Sequence, residues 1–391
     1  MNILIVAPYV TFPEEPGANR FIAIARMLSK KHNVTLLTSK FCHILKSHRE
    51  RNKGLDGINV VLLDEPGYKI NVGFGRLKSH DEFCKNFQRF LIKNPCKYDL
   101  VYSAYPLIKT NYILGKLKEQ LGFKLIMDIQ DVWPESIFGP IPLLSNQLGK
   151  LFLSPITKYA NHTYAYADAL VAVSETYMKR ADVNHLDKKY KEVVYIGADN
   201  LHFYSKINKL DQEKMIATYL GTMAGSYDLE TIVRASVLCH DLVDIRFIGT
   251  GPHEERLKKQ NSELGGYVKF RGAMSYDQAM FDLKSSDIAI NPIRSTAQQS
   301  ITNKLSDYFC CGLPILSCQE NIEVRELLAK GGGIHYQSGD SKDLAQKLIM
   351  LAKNREQLNR MSAINKEIAK EHFLREQSYM KIMNLVERLV E

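Results

Sequence analysis

Apolar and polar positions alternate along this chain in two registers. Short β-branched runs at residues 2–9 (NILIVAPY), 33–39 (NVTLLTS), 58–63, 99–105, 124–129 (KLIMDI), 169–174 and 193–197 predict strands. Between most of them the apolar residues recur at helical spacing, as in ANRFIAIARMLSKK (18–31). Strand and helix in alternation predict a parallel sheet covered by helices. The pattern starts again at 215–221 (MIATYLG) and continues through 244–251, 267–272, 287–293, 314–318 and 332–337. Helical stretches such as 228–239 and 276–287 lie between these runs. Two successive α/β series of similar size, without a sequence repeat, predict two facing doubly wound, Rossmann-like domains. We place them at 1–200 and 201–375, joined in the polar stretch 197–214, with a last amphipathic helix at 376–391 packing back on the N-terminal domain. Ligands in such sheets bind beyond the carboxyl ends of the strands, so the expected site is the cleft between the domains.

Composition narrows the class. With 391 residues, 45% hydrophobic and 24% charged, the chain is that of a globular protein long enough for two cores. No run of about eighteen uncharged apolar residues predicts a membrane-crossing helix. The start MNILIVAPYV reads as a first strand rather than a signal peptide. Seven cysteines without a CxxC pair argue against a disulfide framework or a zinc cluster, and point to a reducing, cytoplasmic setting. The net charge of +9 is uneven: residues 1–200 hold 27 Lys and Arg against 19 Asp and Glu, a balance of +8. Its densest part, KFCHILKSHRERNK (40–53), interleaves apolar and basic residues. Such a segment attracts anionic lipid headgroups, phosphates or RNA, or is simply a solvated loop. No nucleic-acid-binding module accompanies it.

The candidate chemistry lies at predicted strand ends. In NKLSDYFCCGLPIL (303–316), Asn303 and Lys304 open a helix and Asp307 follows three positions later, on the same face. A helix N-terminus attracts phosphate, Lys304 adds a full charge, and Asp307 accepts hydrogen bonds from sugar hydroxyls, so a nucleotide suits the set. The loop VTFPEEPGANR (10–20) offers Gly17 and Asn19, where a glycine lets backbone N–H groups approach a ligand, but it is not the GxGxxG of dinucleotide binders. LGTM (220–223), with Gly221 and Thr222, and IGTGPHEERL (248–257), with Gly251, are further strand-end turns. Capping and close packing explain them equally well. Asp128 and Asp131 end the strand in KLIMDIQDVWPESI (124–137). Asp131 is read as a general base or a binder of hydroxyls, with a cap of the next turn as the other reading, and Trp133 as packing. No Asp-x-Asp triplet and no metal-ligand spacing of histidines occurs, so no metal is expected, and Walker loops and serine elbows are absent.

Together these segments resemble a known family, the GT-B glycosyltransferases, and within them glycosyltransferase family 4. The resemblance runs over nearly the whole chain. It rests on the opening strand and glycine loop, DIQDVWPES (128–136), ADALVAVSE (167–175), VVYIGADNLHF (193–203), YLGTM, FIGTGPHEERL, VKFRGAMSYDQ (268–278) and NKLSDYFCCGLPIL. It implies a retaining transfer of a hexose-type sugar from a nucleotide diphosphate sugar, a UDP-sugar in the first instance, with no other cofactor. The acceptor would be lipid-linked or a saccharide, in capsule, O-antigen or exopolysaccharide synthesis. The enzyme would then lie at the inner face of the cytoplasmic membrane, with its basic first domain toward the lipid.

The resemblance puts Asp307 where the family has a ribose-binding Glu, and Gln299 where many members carry a second Glu near the donor sugar. The Arg and Lys that many members place after the second domain's first strand are missing from TMAGSYDLE (222–230). Lys304, in an Asn-Lys pair similar to the fucosamine transferase branch, becomes the substitute for the diphosphate, with Arg271 or Arg294 beside it. The implied roles are Asp131, Gln299 and Lys304 at the reacting sugar, and Gly17, Asn19, Gly221, Thr222, Gly251, Arg271, Asn303 and Asp307 on the donor. Two other readings stay open. A UDP-sugar 2-epimerase would share the fold, and a non-catalytic nucleotide-sugar-binding partner would account for Gln299.

Overall fold

The alternating runs become strands of two separate parallel sheets. The computed structural model describes residues 1–15, 20–50, 54–70, 73–138, 147–199, 213–297 and 299–390. Contacts divide it into one unit of Met1–Val194 with Tyr379–Glu391, and a second of Tyr195–Ser378.

In the first unit the strands are β1 (Asn2–Val6), β2 (Asn33–Ser39), β3 (Phe41–Cys42), β4 (Ser47–His48), β5 (Asn59–Leu63), β6 (Leu100–Tyr105), β7 (Lys124–Ile129), β8 (Ala169–Ala172) and β9 (Lys191–Val193). Seven of them form an all-parallel sheet in the order β5-β2-β1-β6-β7-β8-β9, with Ile3 opposite Val34 and Leu100. Central β1 is buried from Ile3 to Val6, which explains why its sequence is a continuous apolar run rather than an alternating one. The part of the basic segment within the described residues, 40–50, is not a plain loop. It folds into the antiparallel hairpin β3–β4, Phe41 opposite His48, and its Arg49 turns inward onto Glu15 at 2.6 Å and the carbonyls of Ser39 and Val10.

Arg20, on the first helix (Arg20–Leu28), is only 3% exposed. Its guanidinium donates to both oxygens of Asp128 at 2.9 and 3.3 Å, to the Val194 carbonyl at 3.0 Å and to the Tyr379 hydroxyl at 3.3 Å. Asp128 also accepts from Tyr102 at 2.7 Å and Gln130 at 2.6 Å. A buried charge needs this degree of saturation to be tolerated. Asp128 is therefore a structural anchor for the sheet and for the returning C-terminal chain. The last helix, Met380–Val390, sets Ile382, Met383, Leu385 and Val386 into the first core beside Tyr379.

The second unit holds β10 (Met215–Leu220), β11 (Val243–Ile248), β12 (Val268–Phe270), β13 (Ile288–Asn291), β14 (Ile315–Ser317) and β15 (Gly333–His335), all parallel, in the order β12-β11-β10-β13-β14-β15. The unit boundary falls after Val194 and Ser378 rather than at 200 and 375. The reason is local: Ala198 N–H donates to the Phe373 carbonyl at 2.9 Å, Tyr195 packs on Phe373, and Arg375 holds Ile196 and Asp199, so both crossing segments stay with the second unit. The expected joint lies largely at 200–212, outside the described residues.

Candidate functional site

The second unit gathers its candidate residues around the helix Asn303–Cys310. Thr302 caps it with an extended backbone, its hydroxyl accepting the Leu305 N–H, and every residue from Lys304 to Cys310 is buried while Asn303 stays exposed. Lys304 is 8% exposed. Its ammonium donates to the Tyr219 hydroxyl at 3.1 Å and sits 3.5 Å from the centre of the Tyr227 ring and 4.5 Å from that of Tyr219. Among the described residues no carboxylate pairs with it. Burial pushes its pKa well below the usual lysine range, because nothing nearby compensates the desolvated charge.

One glycine turn lies against that ammonium and a second packs on the first. Gly221 has φ +138°, and a Cβ there would lie 2.7 Å from Lys304 Nζ, so the lysine reaches across bare backbone. The next turn stacks on this one: Gly221 N–H donates to Ile248 and Met223 N–H to Thr250, both at 2.9 Å, and His253 N–H donates to Met223 at 3.0 Å. A Cβ on Gly249 would strike the Gly221 carbonyl, and one on Gly251 the Met223 backbone. Turn-on-turn packing by itself requires a glycine at 251. Thr222 is exposed, and its carbonyl accepts the Tyr219 hydroxyl at 2.7 Å.

Asp307 is 7% exposed and accepts from the Tyr276 hydroxyl at 2.7 Å through Oδ1. Burial raises its pKa to about 6, against the opposing pull of Tyr276 and the Arg375 charge. Lys304 and Asp307, expected to act as a pair on one helix face, are instead held by different neighbours: tyrosines 219 and 227 for one, Tyr276 for the other. Gln299 has its backbone carbonyl held by Gln319 at 2.8 Å, while its side-chain oxygen is buried with no hydrogen-bond partner among the described residues.

The other cations are committed elsewhere. Arg271 pairs with Asp282 at 3.1 Å and lines a surface pocket of about 420 Å3 with Met274, Asp277, Gln278 and Phe281; no other predicted site residue lines it. Arg294 does reach the segment 222–230, but it is neutralised there by Asp228 at 3.3 Å and Glu230 at 2.6 Å. Neither arginine is brought to Lys304 as a free charge. In the first unit, Asp131 accepts from Val132 N–H at 2.8 Å and Trp133 Nε1 at 3.2 Å, so it serves as a local cap; burial raises its pKa. Gly17 and Asn19 lie outside the described residues.

Sequence reasoning missed Tyr219, Tyr227 and Tyr276, whose partners lie 31 to 85 residues away and which read as ordinary core aromatics. It also missed a cluster in the first unit. Tyr9 and His80 touch at 2.5 Å, as do His43 and Tyr68, and Arg76 lies 5.4 to 5.9 Å from the rings of Trp133, Tyr68 and Tyr9. Burial, with Arg76 and for His43 also Lys46 nearby, depresses both histidines to about 4.

Residues 216–354, which contain Gly221, Gln299, Lys304 and Asp307, match the family described as Glycosyl transferases group 1. No curated protein matches the chain by sequence. The fold is similar to that of Anabaena Alr3699/HepE solved in complex with UDP (16% identity, 99% of this chain and 100% of that one, TM-score 0.70). It is also similar to sucrose-phosphate synthase from Thermosynechococcus elongatus (14%, 99% and 98%, TM-score 0.74) and to the lipopolysaccharide outer core galactosyltransferase WaaB (15%, 99% and 99%, TM-score 0.64). At these identities what is shared is the fold, the two Rossmann-like sheets of GT-B enzymes.

Proposed function

We propose that this glycosyltransferase group 1 domain, set in a GT-B fold, makes the protein a retaining transferase of a hexose-type sugar from a UDP-sugar. The observation that carries the reading is Lys304. A buried ammonium with tyrosines and, among the described residues, no carboxylate against it, at the first turn of a helix and over the bare backbone of Gly221, suits the binding of an anion. A diphosphate supplies that anion and restores the lysine's charge. Asp307 then takes a ribose hydroxyl on the oxygen that Tyr276 leaves, and the unpartnered Gln299 oxygen takes a hydroxyl of the sugar. The complex of HepE with UDP supports the choice of nucleotide.

In the step itself the bond from the sugar's anomeric carbon to the departing phosphate oxygen breaks and the acceptor oxygen bonds to that carbon. The acceptor's proton passes to the departing phosphate. The protein orients the partners and stabilises the charge that grows on the diphosphate, without a metal. Asp131, capped by its own turn, shapes the end of β7 instead of touching the sugar. The acceptor is a lipid-linked or free saccharide of a bacterial surface polysaccharide, in line with the similarity to a lipopolysaccharide galactosyltransferase.

Thermal unfolding in the presence of UDP-, GDP- and dTDP-sugars tests the reading, since a ligand that binds only the native state raises Tm by a calculable amount. A UDP-sugar is expected to raise it. Lys304→Met is expected to raise Tm without ligand, by removing an uncompensated buried charge, and to abolish the nucleotide-induced rise together with transfer. If no nucleotide shifts the wild-type transition, the donor assignment fails.

A further inference from the structure

We propose that Gln319 is a positioning residue of the transfer reaction: it fixes the backbone at Gln299 so that the Gln299 side chain meets the donor sugar. Gln319 follows β14 at the carboxyl end of the second sheet and is 2% exposed. Its side-chain amide is fully used. Nε2 donates to the carbonyls of Gln299 at 2.8 Å and Ser300 at 2.9 Å, and Oε1 accepts from Nδ2 of Asn291 at 2.9 Å. Two carbonyls before one nitrogen decide which end of the amide is which, because the reverse orientation would set oxygen against oxygen.

The amide reaches from the sheet to a stretch that has no ladder of its own. Asn291 is fully buried at the end of β13, opposite Ser317 of β14, and its Nδ2 also donates to the Ser317 hydroxyl at 3.1 Å. Both strands are interior to the sheet, so Gln319 is held by its most ordered part. Gln299 and Ser300 lie in neither helix nor strand, and a side chain has to satisfy their carbonyls. The Ser300 hydroxyl adds a second hold, donating to Glu323 on the helix Ile322–Ala329 at 3.2 Å. With the backbone fixed, the side-chain oxygen of Gln299, buried and without a hydrogen-bond partner among the described residues, is the group left for a ligand. A sugar hydroxyl that donates to it gains most when the oxygen is already in place, since no ordering cost then falls on binding. The helix that carries Lys304 is capped separately by Thr302, so the diphosphate does not depend on Gln319.

The inference rests on the proposed donor reading, and its test separates the two. Titration calorimetry of the full chain compares UDP with UDP-glucose, UDP-galactose and UDP-N-acetylglucosamine, in wild type, Gln319→Met, Gln299→Ala and the double variant. Methionine matches glutamine in length and donates nothing. For the sugar nucleotide that wild type binds, Gln319→Met is expected to weaken binding about tenfold, the worth of one neutral hydrogen bond, while UDP stays within about twofold. Gln299→Ala should do the same. The double variant should lose no more than either single one, because Gln319 acts through Gln299. Comparing two ligands on one variant cancels a general loss of stability, since both bind the folded form. If the methionine variant does not fold, Gln319→Glu, whose carboxylate keeps the bond from Asn291 and opposes the two carbonyls, is expected to show the same selective loss. Wild type that binds neither UDP nor any of the sugars overturns the donor reading itself. UDP bound without any of the three sugars, or Gln299→Ala holding the sugar as wild type does, removes Gln299 from the sugar and overturns the proposal. So do an undiminished grip on the sugar in the Gln319 variants, equal weakening of UDP and the sugar, or additive losses in the double variant, each of which leaves the donor reading standing.

Discussion

A carboxyl group 7% exposed and accepting, among the described residues, one side-chain hydrogen bond works against the fold whenever it is ionised. Asp307 titrates at its ordinary 3.8 in an unfolded chain and at about 6 in the folded one, burial being the larger cause. Between these values the folded state keeps a proton that the unfolded state has released. The cost of the ionised form is therefore fully present above about pH 6 and is relieved as pH falls toward 4, a difference of about 3 kcal/mol. Asp307→Asn keeps the acceptor for Tyr276 and removes the charge. Its Tm is expected to exceed that of wild type above the folded pKa and to converge with it in acid, as scanning calorimetry across pH would show. In catalysis the effect is opposite. Wild-type kcat/KM is expected to rise with pH to a plateau above about 6, as the carboxylate forms to accept the ribose hydroxyl, and Asp307→Asn should lose both that limb and most donor affinity. A flat wild-type profile would remove Asp307 from the nucleotide.

At the scale of elements, the strand-end turns determine where Lys304 can go. Gly221 at φ +138° has a backbone that other residues rarely adopt, and a side chain there would stand where the lysine ammonium lies. Gly221→Ala is expected to cost about 1–3 kcal/mol from strain at that φ. It should also raise KM for the donor several-fold, because Lys304 is pushed off its place; urea titration and steady-state kinetics separate the two effects. An unchanged KM would show that the lysine and the turn are not coupled. That Gly221 lies at a strand-end turn and that Lys304 and Asp307 lie near the start of a helix was legible in the sequence, because a strand-end glycine and a polar helix start are local signals. The tyrosines that hold them were not, since an aromatic residue distant in sequence reads as core until the fold places it. Asp131 is ambiguous for the same reason in reverse: an acid at a strand end, beside Trp133, looks alike whether it awaits a hydroxyl or caps its own turn. Among the strands, covered central ones such as β1 and β7 announced themselves as apolar runs. Edge strand β9 lies at Lys191–Val193, with the sequence KEV, and not over the apolar run 193–197 that predicted it, and the two-residue strands of the hairpin β3–β4 gave no such signal.

The whole chain closes on itself through its last thirteen residues, and this was half visible in advance. Amphipathic spacing at 378–391 predicted a helix with a face to bury against the N-terminal domain, but not which residues of that core would receive it. In the structure Tyr379, Ile382, Met383, Leu385 and Val386 complete a core otherwise built from Met1–Val194, and the Tyr379 hydroxyl meets the buried guanidinium of Arg20. Each such side chain contributes about 1.5–3 kcal/mol when buried, so removing five costs about 8–15 kcal/mol, as much as a whole domain's usual net stability. Stopping the chain after Ser378 also takes the Tyr379 hydroxyl from Arg20 and opens a path for water to the buried Arg20–Asp128 pair. The truncated protein is therefore expected to lose the first unit while keeping the second, whose strands β10–β15 and crossing segments 195–199 and 373–378 are intact. Limited proteolysis should then leave a resistant fragment starting near Tyr195, and UDP should still protect that fragment, because Gly221, Gln299, Lys304 and Asp307 all lie within it. Glycosyl transfer should be absent. A truncated chain that resists protease along its full length would show that the C-terminal helix is dispensable to the first core.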